Sequence, residues 1–114
     1  MNQGLKTIIF PVRDLAVAKK VFGSLLGTEP YVDEPYYAGF RLEGQEVGLD
    51  PNGHAQGLSG PVCYWHVDDI AKSLGQLVDA GARTRQEPKD VGGGRLIATI
   101  EDPDGNVIGL LQDP

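Results

Sequence analysis

One phrase occurs twice in this chain, and a chain that repeats itself folds as two copies of one unit. Glu43-Gly44-Gln45-Glu46-Val47-Gly48-Leu49 can be laid over Asp104-Gly105-Asn106-Val107-Ile108-Gly109-Leu110. Acid-Gly-amide and then Val/Ile-Gly-Leu recur at the same spacing. Val12-Arg13-Asp14-Leu15-Ala16 likewise lies over Val67-Asp68-Asp69-Ile70-Ala71, and each opens a helical pattern closed by Gly27 or Gly81. The expected organisation is one domain over residues 1–114. Repeat 1 covers 1–52, a linker covers 53–60, and repeat 2 covers 61–114, each repeat reading strand-helix-strand-strand-strand. With 114 residues in all, either half alone would be marginal, so the halves are expected to share a core.

The elements follow from local chemistry. Leu5 to Val12 is rich in β-branched and aromatic residues and reads as the first strand, with Pro11 near its end. Asp14 is a good N-cap, and Leu15, Ala18, Val21, Phe22, Leu25 and Leu26 follow at helical spacing, predicted inward, with Gly27 as the C′ residue. Residues 30–42 alternate around Tyr31, Tyr36, Tyr37, Phe40 and Leu42, with Asp33-Glu34-Pro35 as a turn between two strands. Glu46–Asp50 makes the fourth strand. Residues 51–60 are a loop by composition. Val62–Val67 is the fifth strand, followed by an Asp68 or Asp69 cap and a helix with Ile70, Leu74, Leu77 and Val78 inward. Residues 83–91 form a weaker, polar strand, Gly92-Gly93-Gly94 a turn, and Leu96–Glu101 the next strand. In the closing hairpin, Pro103 presets φ, Asp104 bonds its own backbone and Gly105 supplies the positive φ. Gly109, inside the last apolar run, is the odd residue, because a strand-interior glycine marks a close approach by a ligand or another backbone.

Composition narrows the partners. A net charge of −6 argues against nucleic acid or an anionic membrane. The single cysteine, Cys63, allows neither an intramolecular disulfide nor a cysteine-based zinc site. Nothing near Met1 reads as a signal peptide and no apolar run approaches spanning length, so a cytoplasmic location is the expectation.

The duplicated unit, together with Val12-Arg13-Asp14-Leu15, Phe22 to Gly27, Val67-Asp68-Asp69, Ala80-Gly81-Ala82 and Glu101-Asp102-Pro103-Asp104-Gly105-Asn106, resembles the vicinal oxygen chelate superfamily. That superfamily includes glyoxalase I, bleomycin-resistance proteins and extradiol dioxygenases. The resemblance covers nearly the whole chain. It implies an α+β fold of two βαβββ repeats forming a curved, open, mixed sheet around a concave cavity, with the helices outside. For the family's enzymes it implies a divalent metal held by side chains from the starts of strands 1 and 5 and from the last strand of each unit. Those positions map here to Thr7, Gly48, Val62 and Gly109. Glycine has no side chain, valine has no lone pair, and a neutral threonine hydroxyl is a poor sole anchor. His66 and Asp50 keep the faces of Val62 and Gly48, but His66 lies roughly 13 Å along the strand from Val62. Two displaced ligands fall short of the three or four a metal needs.

The expectation is therefore no cofactor and no metal at the usual centre, with a ligand-binding set of Thr7, Gly48, Asp50, Val62, Tyr64, His66 and Gly109. Tyr64 and His66 would carry polar atoms along an apolar floor left open by Gly48 and Gly109. Bonding of Tyr64 and His66 to neighbouring backbone or to a partner subunit explains them equally well. His54 reads as a solvated loop histidine and Cys63 as an inert buried thiol. Tyr36, Tyr37, Phe40 and Arg41 could form an aromatic wall with a cation, and two-sided strand packing explains them equally. Gly92-Gly93-Gly94 is no phosphate loop, since neither a helix start nor a lysine follows it. The leading function is small-molecule binding, of a drug or metabolite, by a homodimer that buries its strand edges across a twofold axis. Two other classes stay open: a lyase, isomerase or dioxygenase using a displaced metal or acid–base chemistry by His66 and Tyr64, and a structural homodimer without a ligand.

Overall fold

The computed structural model describes residues 2–114. The strands are β1 (Asn2–Pro11), β2 (Val32–Glu34), β3 (Tyr37–Leu42), β4 (Gln45–Asp50), β5 (Val62–Val67), β6 (Arg83–Asp90), β7 (Leu96–Glu101) and β8 (Val107–Gln112). The helices are α1 (Leu15–Leu26) and α2 (Ile70–Asp79). The fold is α+β, with two βαβββ units and mixed strand pairing. Two compact units divide the chain, Lys6–Val62 and Cys63–Pro114, the second also taking residues 2–5. The division falls inside β5, just after the glycine-rich loop that the sequence marks as the linker.

In the first unit the strands run β2-β3-β4-β1. β2/β3 and β3/β4 pair antiparallel, and β4/β1 pair parallel with Ile9 beside Gly48. A parallel pair needs a crossover, which α1 supplies. The helix starts where Asp14, in extended conformation, accepts the Val17 N–H at 3.2 Å. It stops at Gly27, whose left-handed φ of 68° lets its N–H reach the Gly23 carbonyl. Ala38, Phe40 and Leu49 are fully buried, and Leu15, Ala18, Phe22 and Leu26 of α1 pack on them with Phe10, Val12 and Val47. The Phe10 and Phe22 rings meet at 4.9 Å between centroids.

Val21 and Leu25 are not part of that face, contrary to the expectation from spacing. They are 58% and 73% exposed. Each precedes a core residue by one position, which on a helix turns it about 100° away from the sheet. The early turn also differs, since Asp33 and Glu34 belong to β2 and the chain reverses at Pro35-Tyr36. The β3–β4 hairpin turns on Glu43 and Gly44 alone, with φ of 51° and 78°. That is the primed two-residue turn, whose positive φ values match strand twist.

In the second unit the order is β5-β8-β7-β6, with β5/β8 parallel and the other two pairs antiparallel. Asp69 caps α2 by accepting the Lys72 N–H at 3.1 Å, and Gln112 Oε1 accepts the Ile70 N–H at 2.7 Å. Val67, Ile70, Leu74, Ala98, Ile100 and Leu110 form the buried cluster, with Leu77 against it. Val78, predicted inward, is 44% exposed, and Trp65, two residues before Val67 on the same side of β5, is 38% exposed. β6 is polar, as expected, and its pairing with β7 breaks register twice, between Thr84 and Gln86 and between Gln86 and Lys89. Arg83 pairs with Glu101 across that ladder.

The last hairpin realises the repeated phrase differently from the first, with five residues between the paired Glu101 and Val107. Gly105 has φ of 85° as predicted, but the residue that holds the turn is Asp102 rather than Asp104. Its carboxylate accepts the Asp104 N–H at 2.9 Å, the Asn106 N–H at 2.8 Å and the Asn106 side-chain amide at 2.8 Å. Those bonds, from the Asn106 side chain first and its backbone next, hold the Asp102 carboxyl below its ordinary range. A depressed carboxylate stabilises the fold above its unfolded pKa of about 3.9, and that stability is lost as pH falls through the folded value. Asp102→Ala is expected to lower the urea midpoint at pH 7. In acid below both pKa values the gap to wild type should close, as paired urea titrations would show.

Candidate functional site

Strand alternation decides which side chains are available for chemistry. In the first unit Phe10, Ala38, Phe40, Val47 and Leu49 face α1, so their neighbours in sequence face the other way. The ladder registers arrange that helix-free face in rows. Arg41 of β3, Glu46 of β4 and Thr7 of β1 stand side by side, and the next row is Gly39, Gly48 and Ile9. Thr7, only 2% exposed, donates its hydroxyl to Glu46 Oε1 at 3.0 Å. Arg41 Nη2 lies 4.0 Å from Glu46 Oε2, and its guanidinium sits 4.0 Å over the Tyr31 ring. The result is a hydrogen-bonded carboxylate beside a cation stacked on an aromatic ring.

The glycine row is not open. A Cβ on Gly48 would stand 2.7 Å from Tyr37 Cζ and closer still to its hydroxyl. At Gly39 it would meet Tyr37 at 3.1 Å and Tyr31 at 3.3 Å. Tyr37 therefore reaches over both of the paired glycines, with Tyr31 beside it at Gly39, as aromatic residues cover strand glycines.

The second unit repeats the idea with another strand supplying the ring. Tyr64 pairs directly with Gly109, and a Cβ there would fall 2.5 Å from Tyr64 Cδ1. This ladder has the offset that relates Thr7 to Val62, because Ile9 stands beside Gly48 as Tyr64 stands beside Gly109. Further along the same face His66 is 8% exposed, with Nδ1 3.9 Å from Asp113 Oδ2. Arg95 clamps Asp113 with two bonds, Nε to Oδ1 at 2.6 Å and Nη2 to Oδ2 at 3.2 Å. Both partners are charged, which makes this the strongest class of side-chain hydrogen bond.

Each residue of the expected binding set has a definite place. Thr7, Gly48 and Asp50 lie on the helix-free face of the first unit, and Tyr64, His66 and Gly109 on that of the second. Val62 is 2% exposed. Asp50 Oδ1 accepts the Asn52 N–H at 2.8 Å, so it pins the turn after β4. The expected open floor over the glycines is corrected, because Tyr37 and Tyr64 fill it. His54 is half-buried rather than solvated, and its Nδ1 is buried without a hydrogen-bond partner among the described residues. Cys63 is half-buried rather than buried. Glu46, Arg95 and Asp113 were missed. Glu46 could have been found, since it stands two residues before Gly48 and shares its face, the logic that picked out Asp50. Arg95 and Asp113 come together only through the β7–β8 register and left no local signal.

The donor set does not fit the metal that the resemblance implies. The Thr7 hydroxyl is committed to Glu46, Val62 has no lone pair, and the two glycine spaces hold tyrosine rings. Among the described residues no three His, Cys, Asp or Glu side chains converge in a metal-binding group. A groove of about 640 Å³ lies elsewhere, along α1 and its exit, lined in part by Lys19, Lys20, Gly23, Thr28 and Asp33. Lys19 donates to Asp33 across it at 2.8 Å.

Residues 4–110 match the family model of the Glyoxalase/Bleomycin resistance protein/Dioxygenase superfamily. No curated protein matches the sequence significantly. Among solved structures, a superfamily member from Vibrio splendidus 12B01 is 22% identical with a TM-score of 0.70, over 96% of this chain and 99% of that one. Methylmalonyl-CoA epimerase from Mycobacterium tuberculosis is 19% identical, TM-score 0.71, over 99% of this chain and 89% of that one. The Mn(II)-bound glyoxalase from Novosphingobium aromaticivorans is 18% identical, TM-score 0.74, over 99% of this chain but 40% of its own. At these identities the likeness shows the fold alone.

The ring-over-glycine contacts make separate demands on the two units. Gly48→Ala meets the far end of Tyr37, which can swing aside, whereas Gly109→Ala meets the root of the Tyr64 ring. Overpacking costs about 1–3 kcal/mol, and Gly109→Ala is expected at the upper end and Gly48→Ala at the lower. Tyr37→Ser should abolish most of the Gly48→Ala penalty in the double variant. Urea denaturation of wild type, the three single variants and the double variant checks this.

Proposed function

Because this chain belongs to the Glyoxalase/Bleomycin resistance protein/Dioxygenase superfamily, yet carries no usable ligands at the four mapped positions, we propose that it binds a small organic molecule without a transition metal at that centre. The carrying observation is that tyrosines fill the two glycine positions, the phenol end of Tyr37 over Gly48 and the Tyr64 ring over Gly109. A surface of that kind favours flat molecules, which stack on tyrosine or take its place over the glycine. Each unit offers its own polar groups for selection, Glu46 with Arg41 beside it in the first and His66 with the Arg95–Asp113 pair in the second. A net charge of −6 favours neutral or cationic ligands over anionic ones. The role that follows is sequestration of a drug or metabolite, and a soluble cytoplasmic setting goes with it.

Protein purified gently and without chelator is expected to show, by native mass spectrometry, an added mass of one organic molecule per chain. Elemental analysis of the same sample should find no stoichiometric metal. Tyr64→Phe, removing one hydroxyl, should weaken retention by about 0.5–1.5 kcal/mol. Stoichiometric zinc, nickel, iron or manganese that disappears on replacing His66 or Asp50 would overturn the proposal in favour of a displaced metal centre.

A further inference from the structure

Glu46 is a carboxylate that the fold does not ask for. Its side chain is only 16% exposed, and withdrawing a charge from water is unfavourable unless something is gained by it. The internal repeat supplies the control. Val107 stands at the place of Glu46 and Val62 at that of Thr7, and the second unit builds the same ladder with them. A valine serves the strand there, and the first unit has an acid instead. The Thr7 hydroxyl donates to Glu46 Oε1 at 3.0 Å, which holds the carboxylate in place. Its other oxygen, Oε2, faces Arg41, the partner of Glu46 across the β3–β4 ladder.

Arg41 is poorly suited to a purely structural pair. Its Nη2 is 4.0 Å from Oε2, beyond hydrogen-bond length, and its side chain is 64% exposed. A pair of that kind contributes little to stability. Yet the guanidinium has a defined place, 4.0 Å over the Tyr31 ring. Tyr31 is itself anchored, because its N–H donates to the Gly39 carbonyl at 2.8 Å. A tyrosine face and a half-buried carboxylate, both within reach of one guanidinium, are the elements that recognise a flat organic cation. Arg41 fills that place with the chain's own cation.

We propose that Arg41 is a stand-in for the ligand. In the free protein its guanidinium occupies the subsite of a flat organic cation, and the ligand displaces it with an amidinium or guanidinium of its own. This rests on the reading that the helix-free face binds a small organic molecule, and it names the chemistry of that molecule's charged end. Displacement is easy, since Arg41 leaves one loose ion pair and one ring face, and its exposed side chain swings into water. A ligand cation that meets both carboxylate oxygens replaces a contact at 4.0 Å with paired, charge-assisted hydrogen bonds. Neutral and anionic molecules gain nothing by moving Arg41. The residue therefore sets specificity, and the apparent dissociation constant rises with the share of time that it holds the subsite.

Benzamidinium, a flat aryl cation, is the probe, and benzamide, its neutral isostere, is the control, each titrated by calorimetry. Arg41→Ala is expected to bind benzamidinium about tenfold more tightly than wild type, the gain when Arg41 holds the subsite about nine-tenths of the time. Benzamide should gain nothing. Lys20→Ala removes the same charge from an exposed position on α1, across the strands from the subsite, and should leave the affinity unchanged. Adding Glu46→Gln to Arg41→Ala should cancel the gain, with circular dichroism unchanged. If that combination disturbs the fold, Tyr31→Leu with Arg41→Ala takes its place and should also cancel the gain. The proposal is overturned if Arg41→Ala binds benzamidinium no more tightly, if benzamide gains equally, or if Lys20→Ala gains as much. A native-mass adduct that persists beside such a result leaves small-molecule binding standing and removes the cation subsite alone. A gain measured on protein that carries no adduct supports the subsite by itself.

Discussion

The parallel pairing of the first and last strands in each unit is the constraint from which the rest follows. β1 can lie parallel to β4, and β5 to β8, only if the chain crosses back over one sheet face, and the helix makes that crossing. Once each helix occupies one face of its own unit's strands, its apolar stripe claims alternate residues: Phe10, Phe40 and Leu49 in one unit, Val67, Ile100 and Leu110 in the other. The intervening residues face away from the helix whatever their chemistry. Thr7, Glu46, Tyr64 and His66 are thus placed by a packing requirement that their neighbours satisfy.

Much of this was legible because it is local or periodic. The Asp14 and Asp69 caps, the Gly27 stop and the two helices rest on chemistry within a few residues, and the repeat tied the two halves to one plan. The family and fold could be read for the same reason. Helix facing was less legible. Val21 and Leu25 fit the apolar spacing as well as Phe22 and Leu26 do, since the apolar side chains of α1 span about half its circumference and spacing alone cannot say which part of that stripe meets the sheet. The Asp102 turn was mislaid by two residues because Asp102 and Asp104 have the same side chain at competing positions in a tight loop.

The candidate site was legible in outline and wrong in volume. Alternation put Gly48 and Gly109 on the helix-free face, but a missing side chain was read as missing matter. The ring over Gly48 comes from β3 and that over Gly109 from β5. The repeat, which relates β1 to β5, gives no hint of the first from the second. Which strand lends its side chain to a neighbour's glycine is a tertiary choice, decided by register and rotamer. The bonding of Arg95 to Asp113 is hidden for the same reason.

The interlock of tyrosine and glycine also bears on how such a sheet can change over generations. For Gly48 to become a carboxylate or imidazole ligand, Tyr37 must move out of the way, and for Gly109 the obstacle is the base of the Tyr64 ring. Changing the glycine first creates a clash, and changing the tyrosine first bares a strand glycine. The two substitutions are coupled in the sense that neighbouring residues are coupled in double-mutant cycles. A route between a metal-holding sheet and a ring-filled one therefore crosses a less stable intermediate in either order. The same two intermediates lie on the path in both directions, so neither gaining nor losing such ligands is a single easy step.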